Sequence, residues 1–247
     1  MADELALGGT TPVQPPETER SSVDIPVMLV HGFASSFERN WREPGWVDLL
    51  QEEGRSVIAV DLLGHGQAAK PSDPAAYAAL EGSITAAMPA DTPVDAVGFS
   101  LGAQLLLRAA SAAPARFRRI VLGGVGDSVF TGTDAEPVAR AVEAGQAAEE
   151  AGPSAAALTH FAMAPGNDRA ALAACLRRPQ APLTEAEVAA VRAPVLVVLG
   201  ERDFAGPADR LLAALPDARL VSLPRTDHFG TPKDFRFVQA ALDFVRA

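Results

Sequence analysis

The chain has 247 residues, enough for one α/β domain carrying an insertion, and 48% of them are hydrophobic, enough for a large core. A formal net charge of −10 argues against binding a phosphate backbone, which needs clustered Lys and Arg, and a single cysteine, Cys175, excludes an internal disulfide framework. No basic-then-apolar leader opens the sequence and no apolar run approaches the ~18 residues that span a bilayer, so no membrane span and a cytoplasmic location are expected.

Residues 1–24 are rich in Gly, Thr, Pro and Glu with little periodicity and are expected to be an irregular tail. The core is expected over 25–126 and 193–247. Its first strand is Pro26-Val27-Met28-Leu29-Val30, an apolar run of the kind buried on both faces of a sheet, and it leads into His31-Gly32. Trp46, Val47, Leu49 and Leu50 mark a helix, and Ser56 to Asp61 a second strand. Val94 to Phe99 is the third strand. It runs straight into Gly98-Phe99-Ser100-Leu101-Gly102 and then a Leu- and Ala-rich helix, Leu101 to Ala113. A strand, a sharp turn and a helix around Gly-x-Ser-x-Gly push the serine hydroxyl away from the sheet, beside the free N–H groups of a helix N-terminus. Ser100 is therefore the candidate nucleophile, and Gly98 and Gly102 occupy positions where a Cβ would collide with a neighbouring element.

Arg119 to Val125 is the fourth strand and Val195 to Gly200 the fifth. About seventy residues separate them, far beyond an ordinary strand–helix connection. Residues 127–192 hold several short Ala-rich helical patterns broken by Gly152-Pro153, Pro165-Gly166 and Pro179 to Pro182, and they are read as a small helical cap over the site. Leu211, Leu212 and Leu215 mark a later helix. Arg219 to Leu223 is the sixth strand, and Phe235, Val238, Ala241, Leu242 and Val245 the last helix. Strands alternating with helices imply a mostly parallel sheet flanked by helices, an α/β fold with its functional groups at the carboxyl ends of the strands.

A serine hydroxyl needs an imidazole to accept its proton, and the imidazole needs an acid to hold its tautomer. His228 lies in the loop after the last strand, on the side of the sheet where Ser100 is expected. Three acids compete for the third role: Asp203 first, with Glu201 its neighbour after the fifth strand, and Asp127 after the fourth. An oxyanion would need two N–H donors, for which the amides of Leu101 and Phe33 are the candidates, with Gly32 expected to turn the backbone tightly.

The series His31-Gly32-Phe33, Asp61-Leu62-Leu63-Gly64-His65-Gly66, Gly98-Phe99-Ser100-Leu101-Gly102, Gly200-Glu201-Arg202-Asp203 and Asp227-His228-Phe229 resembles the α/β-hydrolase superfamily over about residues 25 to 247. The resemblance implies Ser100 as nucleophile, Asp203 as acid, His228 as base, Phe33 and Leu101 as the oxyanion pair, and structural places for His31 and His65. It implies a serine hydrolase acting on a small-molecule ester or thioester without a cofactor or metal. Epoxide hydrolases and haloalkane dehalogenases resemble this layout but place aspartate at the elbow, which Ser100 argues against. A perhydrolase or haloperoxidase-like enzyme, a carbon–carbon bond hydrolase, and a ligand-binding protein without turnover share the scaffold and remain alternatives. Members usually begin with a β-hairpin, for which residues 1–25 show no pair of alternating strands. The sheet is therefore expected to be shorter at that edge, or the start of the chain atypical.

Among lesser features, Trp41 and Trp46 are expected in the core rather than as walls of an acyl pocket, and His160-Phe161-Ala162-Met163 on a buried face of the insertion rather than as a lid contacting substrate. Cys175 is expected as a small apolar residue, and Glu143 to Glu150 as a solvated helix face.

Overall fold

A computed structural model describes residues 25–132 and 134–247; the expected tail over 1–24 lies outside them. Six strands form one sheet in the order β2-β1-β3-β4-β5-β6, every neighbouring pair parallel. They are β1 (Val27–Val30), β2 (Val57–Val60), β3 (Val94–Phe99), β4 (Phe117–Gly123), β5 (Val195–Gly200) and β6 (Ala218–Leu223). The apolar runs that predict β1, β3 and β5 are buried at every position, whereas β2 and β6, at the two edges, are partly exposed.

Pleating sends alternate residues to opposite faces. Met28, Val30, Val94, Ala96, Ile120, Leu122, Val195 and Val197 face one core, with helix α3 (Leu101–Ala112) packed on it. Val27, Leu29, Val97, Phe99, Val121, Leu196 and Val198 face the other, under α1 (Trp46–Glu52) and α9 (Phe235–Arg246). Trp41 and Trp46 belong to this second core, edge-on to each other at 5.0 Å, and Trp46 meets Phe237 at 4.9 Å. The one charged residue inside β3, Asp95, is fully buried and bonded by Arg55 and by Arg118, whose Nε lies 2.8 Å from its carboxylate.

Three elements differ from expectation. β4 begins two residues early, where Phe117 pairs with Val94, and ends two residues early, where Gly124 adopts φ +66. A short helix α2 (Gly82–Ala87), which carries too little periodic signal to be read from sequence, precedes β3. Phe235 is 73% exposed, so the buried stripe of α9 starts at Phe237.

Between β4 and β5 run α4 (Glu136–Ala144), α5 (Pro153–Ala162), α6 (Arg169–Leu176) and α7 (Glu185–Ala189). Each of the first three follows a breaker or cap: Pro137 at the start of α4, Gly152-Pro153 before α5, and Asp168, whose side chain accepts from Ala171 N–H, before α6. Asn167 ties this segment to the loop after β1, its amide nitrogen 3.1 Å from the Ala34 carbonyl. The strand order reverses between β1 and β3, so the loops after these two strands diverge and leave a crevice at their carboxyl ends. The chain resumes as α8 (Asp209–Ala214) after β5.

Candidate active site

Ser100 occupies the junction of β3 and α3 at φ 51°, ψ −114°, a backbone state rarely tolerated outside glycine. Its own N–H is held by the Gly123 carbonyl at 2.8 Å, which fixes the turn against β4. The flanking glycines are needed for space. A Cβ on Gly98 would stand 2.8 Å from the Ala103 nitrogen, and one on Gly102 would stand 2.4 Å from the Val30 carbonyl oxygen. The first contact lets α3 fold back over β3; the second lets it lie against β1.

His228 reaches this hydroxyl from the loop after β6. Its Nε2 is 2.9 Å from Ser100 Oγ, and its Nδ1 is 2.9 Å from Asp203 Oδ1 and 3.1 Å from Oδ2. A carboxylate can only accept, so Nδ1 carries the proton and Nε2 is left to accept from the serine O–H. The Asp203 side chain is fully buried and the His228 side chain 3% exposed. Asp203 Oδ1 also accepts the Ala205 N–H at 2.9 Å, which sets the carboxylate's rotation. The imidazole is flanked by the rings of Phe204 and Phe99, at 4.3 and 4.9 Å. Gly124 makes room for it: a Cβ there would lie 2.7 Å from Phe99 and 3.1 Å from the imidazole.

The two other acids have different work. Glu201 accepts the Arg225 N–H at 3.0 Å in an exposed turn. Asp127 accepts the Leu211 N–H at 2.9 Å, capping the first turn of α8 from a distance. Of the three, only Asp203 meets the imidazole.

The loop after β1 brings Phe33 to the same place. Asn40 Oδ1 accepts the Gly32 N–H at 3.0 Å, His31 Nδ1 donates to the Gly32 carbonyl at 2.7 Å, and His31 Nε2 accepts from Leu62 N–H at 3.1 Å. These bonds pin the peptides on both sides of Gly32 and so orient the Phe33 amide. Gly32 is needed for closeness, since a Cβ there would lie 2.9 Å from Phe99; the positive φ of this loop falls at Ala34, 57°. Burial holds the His31 pKa below its usual value, and His65, its ring 5.2 Å away and tilted, almost fully buried, is pushed down to about 3. Both are neutral scaffolding, with His65 Nδ1 on the Leu63 carbonyl at 3.0 Å. The nearby Asp61 carboxylate is occupied by the Phe37 and Gln67 amides.

Two cavities meet at Ser100. The larger, about 540 Å³, runs under the 127–192 segment past Phe33, Leu101, Gln104, Val138 and Leu158. The smaller, about 300 Å³, is walled by His228, Phe229, Phe161 and Lys233. His160, Phe161 and Met163 are exposed, contrary to the expected buried face; only Ala162 of that run is buried. α5 turns that side toward the mouth of the smaller cavity, where Phe161 stacks on Phe229 at 4.8 Å. Cys175 is fully buried, and burial raises its thiol pKa to about 11. Gly145, at φ +69, divides the acidic run Glu143 to Glu150, so it is not one helical face. Phe204, Asn40 and Gly124 support the site without any sequence signal that singles them out. No group of His, Cys, Asp and Glu among the described residues has the arrangement of a metal site, and none of their helices is long and apolar enough to cross a membrane.

A parallel sheet with a strained serine at the β3–α3 turn and a His–carboxylate pair at the ends of β6 and β5 defines an α/β-hydrolase fold. The chain belongs to the alpha/beta hydrolase family, whose model matches residues 27–240. Among solved structures it is similar to the enol-lactonase from Burkholderia xenovorans LB400, with TM-score 0.71 and 20% identity over 93% of this chain and 94% of that one. It is similar to a 2-hydroxy-6-oxo-6-phenylhexa-2,4-dienoate hydrolase from Rhodococcus sp. strain RHA1, with TM-score 0.64 and 21% identity over 91% of each chain. A third is a putative non-heme bromoperoxidase from Mycobacterium tuberculosis H37Rv, with TM-score 0.64 and 22% identity over 90% and 92%. At these identities the likeness establishes the fold. Comparison with curated proteins finds no match.

Proposed function

We propose that the protein is a serine hydrolase that cleaves a carboxylic ester or thioester through an acyl-enzyme. The observation that carries this reading is the unbroken relay from Asp203 through His228 to Ser100, both links at 2.9 Å. Ser100 Oγ attacks the carbonyl carbon while His228 Nε2 takes its proton. The buried carboxylate of Asp203 keeps Nδ1 protonated and stabilises the imidazolium that forms. The tetrahedral oxyanion is received by the N–H groups of Leu101, at the start of α3, and of Phe33. His228 then protonates the leaving group, and a water activated by the same nitrogen releases the acyl group. No cofactor takes part in this scheme. Residues 127–192 serve as the cap, closing the larger cavity over the acyl-enzyme. The neighbours with similar folds carry names of different activities, so the substrate has to be argued from the cavity.

Turnover of p-nitrophenyl butyrate by the intact protein and by Ser100→Ala tests the reading. The expected result is measurable hydrolysis that falls by at least about 10³-fold in the variant, together with fluorophosphonate labelling confined to the protein with Ser100. Equal turnover in the folded variant would remove the mechanism. A folded protein with neither turnover nor labelling would favour ligand binding without chemistry.

A further inference from the structure

The polar stripe of α3 points along the larger cavity. Ser100 opens the helix, and Gln104 and Arg108 follow at successive four-residue steps, so the three share one face; all three line the cavity. Most other residues of α3 are buried in the core. Arg178, just beyond α6, enters the same cavity from the cap side.

These two guanidiniums are incompletely satisfied. Arg108 donates to the Ala181 carbonyl, and Arg178 donates to the Cys175 carbonyl at 2.8 Å and to the Gln180 side chain. The Nε of each is buried without an acceptor. Among the described residues no carboxylate lies within ion-pair distance of either, although Glu187 and Glu81 act on them from farther away. The one acid in the cavity wall, Asp134, is engaged by the Glu136 N–H at 3.0 Å. Burial and the neighbouring Arg108 both lower the proton affinity of Arg178. In a chain of net charge −10, this end of the cavity is therefore locally cationic and short of acceptors.

The two cavities differ in one further respect. A leaving group must come within reach of His228 Nε2 to be protonated, and His228 walls the smaller cavity and not the larger. The larger cavity is then the place for the acyl part. Resting on the serine-hydrolase reading, we propose that the acyl chain of the substrate ends in a carboxylate bound by Arg108 and Arg178, so that the substrate class is a monoester or monothioester of a dicarboxylic acid. Arg108 lies eight residues along α3 from Ser100, about 12 Å of helix rise, and its side chain leans back toward the helix start. Medium-length diacids, adipoyl to suberoyl, match that span. Two Arg–carboxylate contacts, each charge-assisted, supply the recognition.

The test compares mono-p-nitrophenyl adipate and suberate with their neutral methyl-ester counterparts, p-nitrophenyl methyl adipate and suberate. The expected kcat/KM ratio of acid to neutral ester is about 10 or more for at least one length, and it falls toward one in Arg108→Gln and in Arg178→Gln. A ratio near one at both lengths in the intact protein overturns the proposal whether or not the variants fold. So does a ratio that both variants leave unchanged. A carboxylate preference seen only when the acid sits on the leaving group, as in 3-carboxy-4-nitrophenyl butyrate, overturns the acyl-side assignment. Calorimetry with monomethyl suberate and Ser100→Ala reads the subsite without chemistry. Binding that Arg108→Gln weakens about tenfold or more supports the subsite even if no ester is hydrolysed, and no binding counts against it. Failure of turnover on all esters, including p-nitrophenyl butyrate, counts against the hydrolase reading alone.

Discussion

Replacing Gly102 by alanine tests how the site is assembled, because the added methyl has nowhere to go. The new Cβ would lie 2.4 Å from the Val30 carbonyl oxygen, 2.6 Å from that of His31 and 2.7 Å from the Val30 carbonyl carbon. All three are backbone atoms, two on Val30 at the end of β1, which pairs with β2 and β3, and one on the next residue, His31, so no side-chain rotation can relieve the contact. Ordinary contact begins near 3.4 Å, so α3 has to retreat from β1 by about 1 Å (3.4 − 2.4). Overpacking of this kind costs about 1–3 kcal/mol of stability. The retreat also carries Ser100 and the Leu101 amide away from the Phe33 amide, which stays with β1. Under the proposed mechanism these groups share one transition state, and a displacement of about 1 Å among them costs about 10²-fold in rate. Urea denaturation and kcat/KM on p-nitrophenyl butyrate read the two effects. Gly82→Ala in α2 is the control, since its Cβ would meet nothing within 4 Å and should stabilise the helix by about 0.5–1 kcal/mol. Gly102→Ala within about 0.5 kcal/mol and twofold of the parent on both measures would refute the steric argument.

The acids separate by function. Asp203→Asn should leave the fold intact and lower kcat by about 10³–10⁴-fold, while Asp127→Ala should cost about 1 kcal/mol through its lost cap on α8 and leave kcat within a few-fold. The reverse pattern in paired kinetic and unfolding measurements would exchange their roles. Stability should also fall on mild acidification. His65 has a folded pKa of about 3 against 6.5 when unfolded, so below pH 6.5 the unfolded chain takes up a proton that the native state refuses. Its contribution is fully present above that pH and is lost as pH falls toward 3. At pH 5 the loss is about 2 kcal/mol from this residue, with His31 adding in the same direction. Unfolding at pH 7 and pH 5, in the parent and in His65→Asn, should show a smaller pH difference in the variant; equal differences would show that His65 is not the source.

Much of this protein is legible in its sequence. All six strands can be read, β1, β3 and β5 most plainly, because parallel strands covered on both faces must be apolar nearly throughout. The strained turn at Ser100 was readable because Gly-x-Ser-x-Gly between such a strand and a Leu-rich helix admits little else. What resisted was whatever depends on distance across the fold. Sequence could rank Asp203, Glu201 and Asp127 only by position; the packing of the β5 and β6 loops brings one of them 2.9 Å from the imidazole and turns the others to an exposed turn and a helix cap. Gly124 and Asn40 carry no local signature, since one makes space for a ring about a hundred residues later and the other fixes a peptide eight residues back. The sequence determined the strands, the elbow and the chemistry of its side chains, because those follow from local pattern. Only the tertiary structure decided which acid serves the histidine and that two arginines of an acidic chain share one cavity, because those are facts about separations between distant segments.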